Sequence, residues 1–274
     1  MKNRRLIPSV LVALAGLIPA SRAGISQYSF AVLAGTTVTS IGDTVLNGNL
    51  GVYPGPTITG FGPGIVNGTS YAGGLVAEQA ESDALAAYTA LLGETPSQNL
   101  TGQDLGGLTL APGVYNFTTA ALLTGALTLD AQGDPNAQFV FQIASSLTTA
   151  SSSSVVLEDG ALVDNVSWQI GSTATLGTGT SFNGVIYADT SITMDNGASL
   201  NGNAFALTGA VSLDDNDITI VPEPNTFLSA ALWAALFGAG LGLTEWWRKK
   251  RGILKDGGAL VMEQPDASGR QHTF

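Results

Sequence analysis

The chain has 274 residues and a formal net charge of −11, and residues 24–221 contain sixteen Asp or Glu side chains but no Lys or Arg. Because nucleic acids and anionic lipid surfaces are bound through basic side chains, this composition argues against both as ligands of the central segment. The chain has no cysteine, which argues against thiolate chemistry. Its one histidine is His272, so the central segment has no histidine for a metal site or a Ser-His-Asp triad.

Residues 1–23 are predicted to be a secretory signal peptide. They combine a basic start at residues 2–5, an apolar stretch over residues 6–18 and small residues at Ser21 and Ala23. The apolar stretch is short for a permanent membrane helix. We therefore expect export and cleavage after Ala23.

Residues 24–220 are predicted to form one domain built from a repeated unit of three short strands. In the first clear unit these are strand one (Phe141–Ile143), strand two (Ser146–Thr149) and strand three (Val155–Leu157). The following units are offset by 27, 18 and 19 residues. Three strands in about 18 residues are typical of a three-sided β-helix.

Two further features support this repeat. Asn-Gly steps such as Asn183–Gly184, Asn196–Gly197 and Asn201–Gly202 favour tight corners between the strands. An earlier part of the chain, residues 35–68, repeats strand-like segments of the same kind. The sequence therefore indicates two solenoid parts with an interruption between them.

The interruption contains one predicted helix, from about Glu78 to Leu92, with Gly93 as a stop. Strand one is apolar on both faces and needs a cover, and this helix is the only candidate. We expect the helix to lie along strand one. Its apolar stripe is predicted at Ala80, Ala84, Leu85, Ala87, Tyr88, Leu91 and Leu92.

Strand two carries the most regular polar pattern. Period-two alternation directs Leu147, Ala174, Ile192 and Val211 into the core, so the residues between them face solvent. Nearly all of those outward residues are Thr or Ser. The outward positions are Thr37, Thr39, Thr57, Thr59, Ser146, Thr148, Thr173, Thr175, Ser191, Thr193 and Ser212.

The C-terminal part resembles the PEP-CTERM sorting signal of bacterial proteins associated with exopolysaccharide. The resemblance covers residues 221–251, with a Pro222-Glu223-Pro224 box, an apolar stretch over residues 226–243 and a basic cluster over 248–251. The apolar stretch of about 27 Å predicts one transmembrane helix. The resemblance implies an exosortase-like sorting protease as partner. Residues 252–274 continue past the point where such signals end and are predicted to be a flexible tail.

The central domain resembles the ice-binding proteins of bacteria and microeukaryotes, over residues 30–220. The matching pieces occur in that family's order: Asn49–Gly55, Gly106–Tyr115, Phe139–Ile143, Trp168–Ile170 and Phe182–Ile186. The resemblance implies a mostly β fold, a right-handed, three-sided, discontinuous solenoid with an adjacent α-helix. It also implies N-terminal strands packed beside the C-terminal coils, a capping insertion near residues 60–71, and one flat face that binds ice.

Strand two is the preferred candidate for that face. Strands in successive coils are about 4.8 Å apart and residues i and i+2 about 6.7 Å apart. Both intervals approximate spacings in the ice lattice, and the stiff χ1 of Thr keeps the hydroxyls and methyls preorganised. Strand three is the rival face, with less regular outward residues and a charge: Ser181, Asn183, Ser199, Asn201, Asp217 and Thr219.

The predicted function is therefore an exported, non-enzymatic ice-binding protein whose ligand is the ice surface and which needs no cofactor or metal. The alternative is an extracellular matrix or adhesion protein of the exopolysaccharide layer, favoured by the sorting signal and the acidic surface. A carbohydrate-active enzyme would need a pair of carboxylates in a groove, and no such pair stands out in the sequence.

Overall fold

The computed structural model of the chain describes residues 30–220. The predicted signal peptide, sorting segment, transmembrane helix and tail lie outside the described residues. Within residues 30–220, no helix is both long enough and apolar enough to cross a membrane. These residues contain two hydrophobic clusters within a single compact unit, which is what an independently folding domain requires.

The described chain is almost entirely β-structure, with one long helix and a single turn of 3-10 helix at Val163–Asn165. In chain order the elements are β1 (Phe30–Ala34), β2 (Thr37–Ile41), β3 (Val45–Asn47), β4 (Asn49–Val52), β5 (Thr57–Thr59), β6 (Ile65–Val66), β7 (Ser70–Ala72), α1 (Leu75–Leu92), β8 (Gln98–Asn99), β9 (Thr109–Leu110), β10 (Gly113–Phe117), β11 (Ala121–Leu123), β12 (Ala126–Asp130), β13 (Phe139–Ile143), β14 (Leu147–Thr149), β15 (Ser154–Glu158), β16 (Val166–Ile170), β17 (Ala174–Leu176), β18 (Ser181–Ala188), β19 (Ile192–Met194), β20 (Ser199–Ala206), β21 (Val211–Asp214) and β22 (Asp217–Thr219).

The strands form a three-sided solenoid in which neighbouring coils pair in parallel. Strand two forms a separate seven-stranded sheet, in the order β11-β14-β17-β19-β21-β2-β5. Strands one and three belong to one 15-stranded sheet, because β18 and β20 each run from strand three of one coil into strand one of the next. The parallel, mostly β architecture is confirmed, and its right-handed sense stays a prediction.

The order of coils in space differs from their order in the chain. The N-terminal strands β1, β2 and β3 stack on β20, β21 and β22, which come last in the described sequence. The coil that contains β5, β6 and β7 then stacks on β2, β3 and β4. The expected discontinuity of the solenoid is therefore confirmed. The junction between N-terminal and C-terminal strands, which we call the seam, lies inside each sheet rather than at an end of the stack.

Residues 60–71 do not form the capping insertion that the family resemblance implies. They include β6 and β7 and continue the solenoid as its outermost coil, which pairs with the coil beneath it. Only the corner loop at residues 60–64 departs from the strand pattern. The expectation was wrong because the corner at Asn67–Gly68 stacks directly on the corner at Asn47–Gly48 one coil earlier, with the Asn67 amide donating to Asn47 at 2.8 Å, which lets the chain keep coiling.

Helix α1 returns the chain from this coil to the opposite end of the stack. Its 18 residues span about 27 Å, close to the roughly 29 Å of the six interstrand spacings from β7 to β13, and residues 93–97 continue to β8. It packs on strand one, as expected, where Phe30, Leu33 and Phe205 meet its buried residues. The Gln142 side chain closes the C-terminal end by donating to the carbonyl oxygens of Leu91 and Glu94 at 2.7 and 2.8 Å.

The predicted stripe of this helix was wrong at Leu85 and Leu92, which are 53% and 56% exposed. The helix starts three residues earlier than expected, at Leu75, and buries a row of small residues with helical spacing. Small side chains let the helix approach the sheet closely, which turns the larger neighbours outward. The buried residues are Ala77, Ala80, Ala84, Ala87 and Leu91.

The solenoid interior is filled by side chains that stack from coil to coil. The rings of Phe141 and Trp168 stack with centroids 3.9 Å apart, and the Trp168 Nε1 donates to the Asn183 carbonyl oxygen at 3.1 Å. Gly184 and Gly202 form the corners where β18 and β20 change face, with φ of +115° and +139°. A Cβ on Gly202 would lie 2.1 Å from the Gly184 carbonyl oxygen, so only glycine fits there.

Glu81 of helix α1 is expected to make stability depend on pH. One of its carboxyl oxygens is buried without a hydrogen-bond partner, and desolvation raises the pKa of Glu81 from 4.5 to about 8. The pKa of Glu81 is higher in the folded than in the unfolded state. The free energy of unfolding is therefore at its full value below pH 4.5 and falls as the pH rises through about 8. At pH 7 the loss is about 3 kcal/mol at most.

Glu81→Gln should therefore raise the free energy of unfolding at neutral pH and flatten its dependence on pH, as measured by urea unfolding from pH 4.5 to 9. Glu158→Gln removes an exposed carboxylate and is the matched control. Equal pH profiles for the wild type and Glu81→Gln would contradict a buried, protonated Glu81.

Candidate functional site

The outward side of the strand two sheet is a regular polar surface among the described strands. Its inward side chains, including Leu147, Ala174, Ile192, Val211 and Val38, are fully buried, as predicted from the alternation. The residues between them therefore point to solvent. The seven strands bring all eleven predicted Thr and Ser residues onto this one surface.

One line of these residues, which we call the central column, is in direct register through the whole sheet. Each residue is the Cα partner of the next, across six consecutive strand pairs. The column crosses the seam between β21 and β2, where the Thr39 and Ser212 hydroxyls are 3.5 Å apart. In order, the central column is Leu122, Thr148, Thr175, Thr193, Ser212, Thr39 and Thr59.

A second line, the flanking column, lies two residues earlier on each strand, next to the corner with strand one. Thr37 and Thr57 are paired in register, and backbone bonds from Leu147 to Thr173 and from Ala174 to Ser191 set the other rows. Most of these residues are only half-exposed. The column contains Ser146, Thr173, Ser191, Ala210, Thr37 and Thr57.

Ser191 has a structural contact in addition to its place in the flanking column. Its hydroxyl oxygen accepts a hydrogen bond from the Ala210 backbone N–H at 3.1 Å. This contact ties two successive coils together at the corner and leaves the oxygen one lone pair fewer for water. The corresponding contact in the central column is the one between the Thr39 and Ser212 hydroxyls, at 3.5 Å.

The row at Leu122 was missed by the sequence analysis. Leu122 is 53% exposed and extends the central column by one apolar position beyond Thr148. The signal that identifies it is the resemblance of residues 113–117 to strand one at Phe139–Ile143, which places a strand two at residues 121–123. The first clear unit of the sequence repeat begins at residue 141, one coil after this position.

The electrostatics of the two columns are simple, because neither contains an ionisable side chain. Charge appears at the margins: Asp195 follows β19 and Asp214 is the register partner of Ile41 at the edge next to strand three, and Asp104 is the bridge partner of Leu122 at the end of the central column. The array therefore consists of hydroxyl and methyl groups at about 4.8 Å between strands and about 6.7 Å along a strand. Such an array can order water.

The rival surface on strand three has a different character. Its side-chain amides bond to one another along the stack, from Asn67 to Asn47 at 2.8 Å and from Asn47 to Thr219 at 2.9 Å, with Asn201 bonded to Asn183 at 3.2 Å. These polar groups already have protein partners. The neighbouring column is mixed, with Ser199, Asp217, Val45 and Ile65 in successive coils.

The acidic turn that follows β21 is held by hydrogen bonds of its own. The Asn196 side chain donates to Asp214 and Asp215 at 3.3 and 3.0 Å, and Asp215 accepts from the Asp43 backbone N–H at 2.5 Å. Over residues 30–220, His, Cys, Asp and Glu form no group of three or more with the geometry of a metal site.

The chain is similar to a set of ice-binding proteins. A family model described as ice-binding-like matches residues 32–219. An ice-binding protein from Nostoc sp. (strain HG1) is 50% identical over 225 residues, which cover 78% of this chain and 81% of that protein. Ice-binding protein 1 of Shewanella frigidimarina (strain NCIMB 400) is 35% identical over 223 residues, which cover 69% of this chain and 25% of that longer protein.

Solved structures agree with these relatives. The crystal structure of an ice binding protein from an Antarctic biological consortium superposes with a TM-score of 0.69 and 45% identity, over 71% of this chain and 89% of that one. The ice-binding protein of the Antarctic ascomycete Antarctomyces psychrotrophicus superposes with a TM-score of 0.67 and 39% identity, over 71% of this chain and 95% of that one.

Proposed function

Because the chain belongs to the ice-binding-like family, we propose that it adsorbs to ice through the strand two surface, with the central column as the main contact. The observation that carries this proposal is the register of that column. Six consecutive coils, drawn from both ends of the described chain, each present one Thr or Ser hydroxyl at the same place.

The physical basis is preorganisation of water before contact with the crystal. Hydroxyls at fixed spacings hold first-layer water through hydrogen bonds, and the Thr methyls restrict where that water can sit. The array is rigid because the five strands between β11 and β5 are paired on both sides and their inward side chains are close-packed. Little ordering entropy remains to be lost when this water joins the ice lattice.

The direct test is the activity of the purified domain, residues 24–223. We expect shaped ice crystals, a measurable thermal hysteresis, inhibition of ice recrystallisation and enrichment of the fluorescently labelled protein in a slowly grown ice hemisphere. A folded protein that shows none of these would contradict the proposal and favour the matrix or adhesion role. The proposal includes no enzymatic activity and no cofactor.

Export and anchoring complete the proposal. The basic, apolar and small-residue segments of residues 1–23 support a cleaved signal peptide, and residues 221–251 support a sorting signal with a transmembrane helix and an exosortase-like partner. The described chain begins at Phe30 in strand one and ends at Ile220 after strand three.

Mass spectrometry of the protein from the producing cell tests this part. We expect a mature N-terminus at Gly24 and, if the sorting signal is processed, a C-terminus near Pro222–Pro224. A chain that still begins at Met1 outside the cell would contradict the predicted cleavage.

A further inference from the structure

The two ends of the solenoid differ in how they cover the core. At the β8 end, Leu100 and Leu105 lie in the loop before β9 and are fully buried over the last coil. At the β5-β6-β7 end, the inward side chains Ile58 and Val66 remain half-exposed. The equivalent residues one coil further in, Val38 and Leu46, are fully buried. The core is therefore closed at one end and left open at the other, among the described residues.

The open end also presents free backbone groups. In β6, the N–H groups of Ile65 and Asn67 donate to Thr44 and Leu46 in the coil beneath, at 2.8 and 2.7 Å. In a parallel ladder the intervening residue, Val66, directs its N–H and carbonyl to the other side, away from the stack. Pro56 and Pro63 lie in the loops before β5 and β6, so these edge strands keep their donors.

The charge distribution is the third observation. Residues 44–77, which form most of the last two coils, contain no ionisable Asp, Glu, Lys, Arg or His. The remaining described surface carries all sixteen acidic residues of the central segment and no basic residue to neutralise them. Two copies of this protein therefore repel one another wherever acidic surfaces meet. At this end the acidic residues are confined to the border, at Asp43 before β3 and at Glu78, which is hydrogen-bonded to Tyr53, so two copies meet there with less of that repulsion.

We infer that the open end, formed by β5, β6 and β7, binds a second copy of this chain in a two-fold, end-to-end dimer. A two-fold axis across the solenoid axis sets the facing edge strands antiparallel, a pairing that β-strands accept readily. The half-exposed Ile58, Phe61 and Val66 of each copy then complete one continuous core. With the axis through β5, the two strand two surfaces become coplanar and together present fourteen strands.

Two variants place a charge at this interface without disturbing the fold. Ile65 is 54% exposed at the open end, and a side chain on Gly62 meets no atom within 4 Å. Ile65→Glu and Gly62→Glu therefore put one like charge on each of two facing copies. Leu162→Glu makes the same change at an exposed position between β15 and β16, distant from the open end, and is the control.

Sedimentation velocity of residues 24–223 over micromolar to millimolar concentrations tests the inference. We expect a monomer–dimer equilibrium for the wild type and Leu162→Glu, and a dissociation constant at least about tenfold higher for Ile65→Glu and Gly62→Glu. Circular dichroism confirms that each variant is folded. A wild type that stays monomeric throughout, or a dimer that both variants leave intact, would overturn the inference.

That the dimer enlarges the ice-binding surface rests on the proposed function. The sedimentation result does not depend on that function. If the protein binds ice, thermal hysteresis per molecule should rise above the dimerisation concentration in the wild type and stay constant in Ile65→Glu. A dimer without ice activity would contradict the proposed function and leave the interface established. Ice activity without a dimer would contradict the inferred interface and leave the proposed function standing.

Discussion

Replacing Thr175 or Thr193 by Tyr is expected to abolish ice shaping and to lower thermal hysteresis by at least about tenfold, while the fold survives. Both residues lie in the middle of the central column, with Thr or Ser neighbours in the coils on either side. A phenol ring there rises above the plane of the array and displaces the water that the hydroxyls hold. It also keeps the neighbouring rows from contacting a flat crystal surface.

The inward neighbours of these residues are Ala174, Leu176, Ile192 and Met194, which are all buried and unchanged by the substitution. The melting temperature should therefore move little. The matched control is Ser199→Tyr, which adds the same ring to an outward position of strand three. We expect it to leave the ice activity nearly unaffected.

The ice activities of these variants show whether strand two or strand three binds ice. Loss of activity in Ser199→Tyr, with full activity in Thr175→Tyr and Thr193→Tyr, would move the site to strand three. If all three variants kept full activity, neither surface would be the ice-binding surface. Leu122→Tyr adds a finer test, because the apolar end of the column should tolerate a ring better than its centre.

The strand two pattern was predictable because it is local. Alternation within three residues separates Leu147 from its Ser146 and Thr148 neighbours, and coil offsets of 18 and 19 residues align Thr175, Thr193 and Ser212. The place of Thr39 and Thr59 in the same column was not predictable in this way. It depends on β2 pairing with β21, 173 residues away, which the family resemblance implied and spacing alone did not.

The features that were missed depend on tertiary packing. Residues 60–71 were expected to cap the end, and whether such a segment coils or caps is decided by its pairing with β3 and β4. Helical spacing likewise indicates that α1 has an apolar stripe. It does not determine the centre of that stripe to better than one residue. The centre is set by how closely the helix approaches strand one, which favours alanines over the neighbouring leucine.

That displacement of the stripe leads to a large expected difference between two adjacent residues. Ala84 is fully buried against strand one, whereas Leu85 is 53% exposed. Ala84→Asp places a carboxylate, larger than the methyl it replaces, among Leu33, Phe205 and the other side chains of this cluster. Burying a charge without a partner, together with the steric overlap, should lower the free energy of unfolding by about 3 kcal/mol or more.

Leu85→Asp is the matched control, because it makes the same acidic substitution on the same turn of the helix. Its side chain stays in water, so the loss should be about 0.5 kcal/mol, mainly from the weaker helix propensity of Asp. Urea unfolding followed by circular dichroism measures both values. Equal losses in the two variants would mean that α1 is rotated about its axis relative to strand one. Since α1 lies on strand one and strand two is another side of the solenoid, folded Leu85→Asp should keep its full ice activity, which separates the cover of the core from the proposed ice surface.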